Sequence, residues 1–410
     1  MEKSLLSNTN KQIYIWGTGD DAKTLLRRYP LINVFVNSFI DSNKFNDSFG
    51  SRVIINPKEV DWNQPIFVIV ATRKYYDEIA NYLIEQGLKE GKDYIGYSSA
   101  WYQLLASFES DDVLKRMLLL QEEIKRLSRW IPDIYAKLVL KSEPVQNYVY
   151  MGNLNIRNAI LQGCVDEEYK LIELRGNVFF EYDSIADFSV VFEELLLNED
   201  YYFESSRKAP LIIDAGANVG LAIYYFKLLY PDCRIIAFEP MPRLFDVIKR
   251  NIERNKWSNV EVYPYALSGE ENGSTIFYVQ NSGLAGSLEK RNQEGVVSDE
   301  IQEIAVKTVR LSEYLHGTID YLKMDIEGSE TKVIEEIQDK LMFVEHIFIE
   351  FHEGRLKEHN SIADISTILE KAGFVINVSK SASSAKSSLC KPMRYVGGRL
   401  SEVVWGKQIR

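Results

Sequence analysis

The chain has few cysteines, which argues against two common ways of stabilising a small domain. Cys164, Cys233 and Cys390 are the only three among 410 residues, and none belongs to a Cys-x-x-Cys pair. Disulfide frameworks and structural zinc sites need more cysteines at characteristic spacings. We therefore predict a protein of a reducing compartment that is stabilised by ordinary hydrophobic cores.

The sequence also lacks an excess of positive charge and long apolar runs. Its net charge is −11, so no general positive field exists to attract the phosphates of a nucleic acid. No window approaches the roughly 18 consecutive apolar residues of a membrane span. Met1 to Asn10 is polar and has no apolar core of a signal peptide. These features predict a cytoplasmic protein with no membrane span and no nucleic-acid partner.

Three regions follow one another along the chain. Residues 1–102 and 171–410 alternate short apolar runs with amphipathic stretches, which predicts two α/β domains with parallel, doubly wound sheets. Residues 103–170 are predicted to be mostly helical. There Val113, Met117, Leu120, Ile124 and Leu127 form a two-heptad apolar seam. A connecting helix packed on a domain is the favoured interpretation, and a homodimer contact is the alternative.

The N-terminal domain carries a weak dinucleotide fingerprint. A predicted strand, Gln12 to Trp16, ends in Gly17-Thr18-Gly19, a helix follows, and Asp41 ends the next strand, predicted over residues 34–40. A diphosphate suits the backbone amides of such a turn, and an acidic strand end suits a ribose. The region resembles small Rossmann-like nucleotide-sugar-binding domains. Nucleotide-sugar docking at Gly17, Gly19 and Asp41, an NAD site, and a vestigial or dimerising role all stay open.

The C-terminal region has a stronger motif. Asp214 to Gly220 follows a predicted buried strand and opens a helix, and Glu239 ends the next strand. Gly216 and Gly220 permit a sharp turn with close approach to a ligand, while a carboxylate at position 239 can accept hydrogen bonds from a ribose diol. An acidic first residue repels phosphate and suits a cationic donor such as S-adenosylmethionine. A polar insertion is predicted from the third strand to about Thr318.

Acidic residues and a histidine lie at the ends of two later predicted strands, over residues 319–325 and 345–351. Asp325 ends one predicted strand, with Glu327 and Glu330 just after it, and the alternation of a strand places Glu350 and His352 on the same side of the next. Two roles compete for this group. His352 or Asp325 acts as a general base for an acceptor hydroxyl, or Asp325, Glu350 and His352 bind a divalent cation, Mg²⁺ or Mn²⁺, that holds it.

Four segments together resemble the FkbM-type family of S-adenosylmethionine-dependent methyltransferases. They are Asp214 to Gly220, Phe238-Glu239-Pro240, Tyr265 to Ser268 and Leu322 to Glu330, and the likeness covers about residues 171–374. The resemblance implies a class I methyltransferase-type sheet and O-methylation of a hydroxyl on a sugar or a natural product. It also implies that Asp214, Gly216, Asn218 and Gly220 hold the methionine part of the cofactor, Glu239 the ribose, and Ala266 and Leu267 the adenine.

We therefore expect an O-methyltransferase that acts on a carbohydrate or glycoconjugate precursor, with a small-molecule or glycan acceptor. A natural-product O-methyltransferase is the alternative within the same class. From other classes, a nucleotide-sugar oxidoreductase or epimerase would work through the N-terminal domain, and an assembly protein would have an inactive methyltransferase half. A basic segment at Lys380 to Arg394 offers a contact for an anionic acceptor, or a solvated loop.

Overall fold

The computed structural model describes residues 11–96, 111–151, 155–280, 286–287, 301–352, 361–379 and 401–408. Two compact units are present, residues 1–165 and 166–410. The helices of residues 111–164 lie in the first unit. The division into domains at 102 and 170 stays a prediction. Among the described residues, no helix combines the length and the apolar character that crossing a bilayer requires.

The first unit contains a six-stranded sheet and seven α-helices among its described residues. In chain order these are β1 (Gln12–Trp16), α1 (Asp20–Arg28), α2 (Pro30–Phe35), β2 (Val36–Ile40), β3 (Ser48–Phe49), β4 (Arg52–Ile55), β5 (Ile66–Val70), α3 (Tyr76–Glu85), β6 (Tyr94–Gly96), α4 (Asp111–Leu127), α5 (Ile134–Leu140), α6 (Glu143–Met151) and α7 (Ile156–Cys164). The strand order is β3-β4-β2-β1-β5-β6, and every pair except β3–β4 is parallel.

Two features of the first unit bear on the sequence predictions. The strand predicted from Val34 begins at Val36, because Pro30 opens the short helix α2 ahead of it. In α4, Met117, Leu120, Ile124 and Leu127 are fully buried within the unit. This seam is therefore core packing, as the favoured interpretation expected.

The second unit is built on a seven-stranded sheet. Its elements are β7 (Val165–Asp166), β8 (Leu171–Leu174), β9 (Val178–Glu181), α8 (Ile185–Phe192), β10 (Leu211–Ala215), α9 (Leu221–Leu229), β11 (Arg234–Phe238), α10 (Pro242–Asn255), β12 (Val260–Tyr263), β13 (Tyr265–Leu267), β14 (Gly273–Gln280), β15 (Gly286–Ser287), β16 (Ile301–Val309), β17 (Ile319–Met324), α11 (Glu330–Glu336), β18 (Val344–His352), α12 (Ile362–Lys371), β19 (Phe374–Ser379) and β20 (Ser401–Gln408).

The strand order of this sheet indicates where a ligand would bind. It runs β12-β11-β10-β17-β18-β20-β19, with β20 antiparallel to both of its neighbours and the pairs from β12 to β18 parallel. The chain leaves β10 toward β11 on one side and later returns to β17 on the other, so the strand order reverses at β10. Ligands of open parallel sheets bind outside the carboxyl ends of the strands at such a switch point. The sheet confirms the predicted class I methyltransferase-type fold.

The predicted polar insertion is wrong in part, because much of it folds as a second sheet. Strands β13, β16, β14 and β15 lie side by side, and β14 pairs antiparallel with β16 over its full length. Buried Phe277, Val279 and Val306 give these strands an apolar face. The polar residues between the strands dominate the composition of this segment and hide that alternation.

Candidate active site

The turn after β10 approaches the neighbouring strand so closely that one position requires glycine. Gly216 has a φ of +85°, and a Cβ atom there would stand 1.8 Å from the carbonyl oxygen of Asp325. The N–H groups of Gly216 and Ala217 donate to the carbonyl of Phe238 at 3.0 and 2.9 Å. The carboxyl ends of β10, β11 and β17 are thereby joined at one place, as the motif spacing predicted.

Glu239 lies at this junction with its carboxylate almost fully buried. One oxygen accepts the N–H of Asn218 at 2.8 Å, and the other accepts the N–H of Met241 at 3.0 Å. Burial raises the pKa of Glu239 to about 7, although these two hydrogen bonds oppose the shift. Each carboxylate oxygen has a second lone pair, so the group can still accept a diol.

A cavity of about 610 Å³, including the space open to solvent at its mouth, begins at Glu239. Its lining is mostly apolar with a few polar groups: Gly216, Asn218, Phe238, Glu239, Pro240, Met241, Leu244, Tyr265, Ala266, Leu267, Phe277, Asp325, Ile326 and Glu327. An apolar wall beside a buried carboxylate and a glycine turn fits the adenine, ribose and methionine parts of S-adenosylmethionine.

The predicted cofactor residues divide into two groups. Gly216, Asn218, Glu239, Ala266 and Leu267 line the cavity. Asp214 and Gly220 are not among the lining residues and instead support the glycine turn. Asp214 is fully buried beneath the turn, and burial raises the pKa of its carboxyl, opposed by the nearby Lys323 ammonium. Gly220, with a φ of +85°, precedes α9.

The acids predicted at the two strand ends all lie close to His352. Nδ1 of His352 lies 3.4 Å from Glu330 and 3.8 Å from Asp325, and Nε2 lies 3.6 Å from Glu327 and 3.9 Å from Glu350. Burial opposes protonation of this imidazole, but the Glu330 hydrogen bond and the charges of Glu327, Glu330 and Asp325 prevail. They raise the pKa of His352 to about 10. His352 is therefore an imidazolium at neutral pH.

The residues that could bind a divalent cation differ from the predicted set. Among the described residues, one ligand atom from each of Asp325, Glu327 and His352 lies within 4.8 Å of the other two. Glu350, which was predicted as a ligand from the strand alternation, is not in this set, but its carboxylate lies 3.9 Å from Nε2 of His352. A divalent cation at this place stays a prediction.

Sequence reasoning missed one residue of this region, Lys323, whereas the predicted candidate Glu327 lines the cavity, with a left-handed backbone at a φ of 60°. Lys323 is a buried lysine in β17, and its ammonium lies 3.4 Å from Asp214 and 3.6 Å from Asp325. Lysine is almost never fully buried without partners. A lysine between Leu322 and Met324 was therefore the signal available in the sequence.

The N-terminal turn uses its predicted residues in local contacts. Gly17 has a φ of +111°, and a Cβ there would lie 3.0 Å from the carbonyl oxygen of Ala71. Asp41 accepts the hydroxyl of Thr18 at 2.7 Å and the N–H groups of Asn43 and Lys44 at 2.9 and 3.2 Å. Beside Gly19, in contrast, the space for a Cβ is open. Nucleotide-sugar binding here stays a prediction, and Lys380 to Arg394 lies outside the described residues.

Comparison with known proteins agrees with this geometry. Residues 214–376 match the family model described as Methyltransferase FkbM domain, and residues 9–93 match the model described as C2185-like, N-terminal. Methyltransferase 1 of Beauveria bassiana is 25% identical over 46% of this chain and 82% of its own length. Methyltransferase sdnD of Sordaria araneosa is 28% identical over 45% and 82%. Hexuronic acid methyltransferase AglP of Haloferax volcanii is 23% identical over 53% and 77%.

The family match covers the glycine turn, Glu239, Asp325 and Glu327, all of which contribute to the lining of the cavity. The predicted family and the predicted enzyme class are both confirmed. Residues 214–376 form an FkbM methyltransferase domain, and the protein is an S-adenosylmethionine-dependent methyltransferase.

Proposed function

We propose that the protein transfers a methyl group to a hydroxyl of a carbohydrate or glycoconjugate precursor. The observation that carries this proposal is the group of carboxylates at the carboxyl ends of β17 and β18, where Asp325 and Glu327 line the donor cavity. Carboxylates accept hydrogen bonds from several hydroxyls at once, as a sugar offers. The similarity to a hexuronic acid methyltransferase supports the same substrate class.

Asp325 is the proposed general base. The cofactor supplies a methyl group on a sulfonium, which is already a good leaving group, so the protein mainly aligns the acceptor. As the acceptor oxygen bonds to the methyl carbon and the carbon–sulfur bond breaks, the hydroxyl proton passes to the Asp325 carboxylate. His352 is already protonated, so its role is to hold Asp325, Glu327 and Glu350 in place.

The test is a screen for labelled methyl incorporation by the full chain. The acceptors are nucleotide-sugars, uronic-acid oligosaccharides and surface glycan fragments, with hydroxylated natural products as the second panel. We expect alkali-stable methyl ether label on at least one carbohydrate, and the label must depend on Asp325. Incorporation confined to the natural products would replace the carbohydrate proposal with its alternative.

The N-terminal domain is proposed to dock the nucleotide part of such an acceptor. Gly19 has an extended backbone just before α1, and the space above it is open. Gly19→Val should therefore leave the fold intact while filling the place of a diphosphate. We expect this change to abolish calorimetric binding of uridine diphosphate sugars while donor binding persists. Binding that is unaffected in the variant would remove the turn from the docking site.

A further inference from the structure

Lys323 has an unusual position in the second unit. It lies in β17 opposite Asp214 of β10, and only 3% of its surface is exposed. Placing an ammonium group inside a sheet is costly unless several polar groups surround it. The contacts of the Lys323 ammonium therefore indicate the role of this residue.

The ammonium group contacts both loops that form the donor end of the cavity. On the glycine turn, it donates to the carbonyl of Gly216 in a short hydrogen bond and lies 3.4 Å from the carbonyl oxygen of Ala215. On the loop after β17, it lies 3.6 Å from a carboxylate oxygen of Asp325. The ring of Tyr201 covers it at 5.8 Å.

The two loops also touch directly, so a small movement of either would displace the other. The N–H of Asp325 donates to the carbonyl of Ala215 at 3.0 Å, and Gly216 lies against the Asp325 backbone. Lys323 fixes the side-chain part of this contact. One Asp325 oxygen faces the ammonium, and the other faces His352 at 3.8 Å.

We propose that Lys323 is a positioning residue of the methyl-transfer site, which holds the Gly216 carbonyl and the Asp325 carboxylate in the arrangement that binds the donor. This inference rests on the proposed assignment of Gly216 and Asp325 to that site. Charge alone predicts the opposite effect on binding. A buried cation near the site repels the sulfonium of the donor, so its removal without any loss of positioning would tighten binding.

The experiment measures the affinity of the full chain for S-adenosylmethionine and S-adenosylhomocysteine by calorimetry, without an acceptor. We expect Lys323→Met to weaken the binding of both by about tenfold or more, because the Gly216 carbonyl and the Asp325 carboxylate are then no longer held in place. Lys323→Gln keeps an N–H donor and should fall between the wild type and Lys323→Met. An affinity for S-adenosylmethionine that is unchanged or tighter in Lys323→Met would overturn the proposal.

Lys227 provides the matched control. It is also a buried lysine of the second unit, but it donates to the carbonyls of Cys233 and Ser258, both at 2.7 Å, near the end of α9. Lys227→Met should lower the melting temperature and leave donor affinity unchanged. An equal fall in affinity in Lys227→Met would reduce Lys323 to a structural residue.

The experiment also has a second variant, and it does not depend on the acceptor. Should Lys323→Met fail to fold, Lys323→Gln decides alone: donor affinity at least threefold weaker supports the proposal, and unchanged affinity contradicts it. Because no acceptor is present, the outcome does not depend on whether the methylated hydroxyl belongs to a carbohydrate. Failure of the carbohydrate assignment and failure of this inference are therefore distinguishable.

Discussion

Two properties of Glu239 have opposite effects on the pKa of its carboxyl group. Its oxygens accept two backbone N–H groups, which favour the ionised form, and yet burial raises its pKa to about 7. The proposed ribose contact is a charge-assisted hydrogen bond, so it needs the ionised form. The donor affinity should therefore depend on pH in the physiological range.

We predict that lowering the pH from 8 to 6 weakens donor binding about tenfold, because a carboxyl with this pKa is about one-tenth ionised at pH 6. Calorimetry with S-adenosylmethionine measures this directly. Glu239→Gln is the control, since the amide does not titrate while the titration of the donor itself is retained. The same pH dependence in Glu239→Gln would show that another group is responsible.

A second prediction concerns His352. Removing its imidazolium takes away the positive charge that contacts Asp325, Glu327, Glu330 and Glu350 together. His352→Ala should lower turnover by roughly 10- to 100-fold, as is usual when a group that orients site residues is lost. Donor affinity should fall less than in Lys323→Met, because Lys323 still holds the Gly216 carbonyl and the Asp325 carboxylate. The measurement is methyl transfer to the acceptor found in the screen.

His316 offers the control for this change, because it is an exposed histidine of the same unit. His316→Ala should retain full turnover. Repeating the assay with a chelator separates the two roles proposed for the cluster. Full activity in the chelator would remove the divalent cation from the account, and equal activity of His352→Ala and wild type would make His352 a purely structural residue.

At the scale of elements, the junction of the β10–α9 turn with the loop after β17 decides the shape of the site. Gly216→Ala combines a left-handed backbone with a clash against the Asp325 carbonyl. Gly317→Ala shares the left-handed backbone, with a φ of +71°, but meets open space. We predict that Gly317→Ala costs about 1–2 kcal/mol of stability. Gly216→Ala should cost more and also weaken donor binding at least tenfold.

Urea unfolding and calorimetry on both glycine variants check this prediction. The control isolates the backbone strain, so the difference between the variants measures the close approach of the two loops. Donor affinity that is equal in Gly216→Ala and Gly317→Ala would mean that the junction does not shape the donor site.

The elements also show what the sequence could predict and what it could not. The apolar runs that end at Asp214, Glu239 and Asp325 were recognisable as strands because each is short, buried and followed by a polar turn. The sheet β13–β16 was not, since polar residues dominate that segment. The partners of His352 depend on tertiary contacts between β18, α11 and the loop between β17 and α11, which periodicity does not encode.

At the scale of the whole molecule, the two compact units resemble separate families. The methyltransferase fold and family were predictable because the motifs after β10, β11 and β17 occur in order and in the right structural context. The ligand of the N-terminal unit was not, because its glycine turn is a weak fingerprint and Asp41 is engaged in local hydrogen bonds. A homodimer stays a prediction that sedimentation velocity can decide.

The central claim is that the cavity between the glycine turn and Glu239 holds the methyl donor. A crystal structure of the full chain with S-adenosylhomocysteine tests it most directly. We predict that the ribose hydroxyls bond to the Glu239 carboxylate, with the adenine against Ala266 and Leu267 and the sulfur facing Asp325. A nucleoside bound elsewhere, or a ribose without contact to Glu239, would contradict the account.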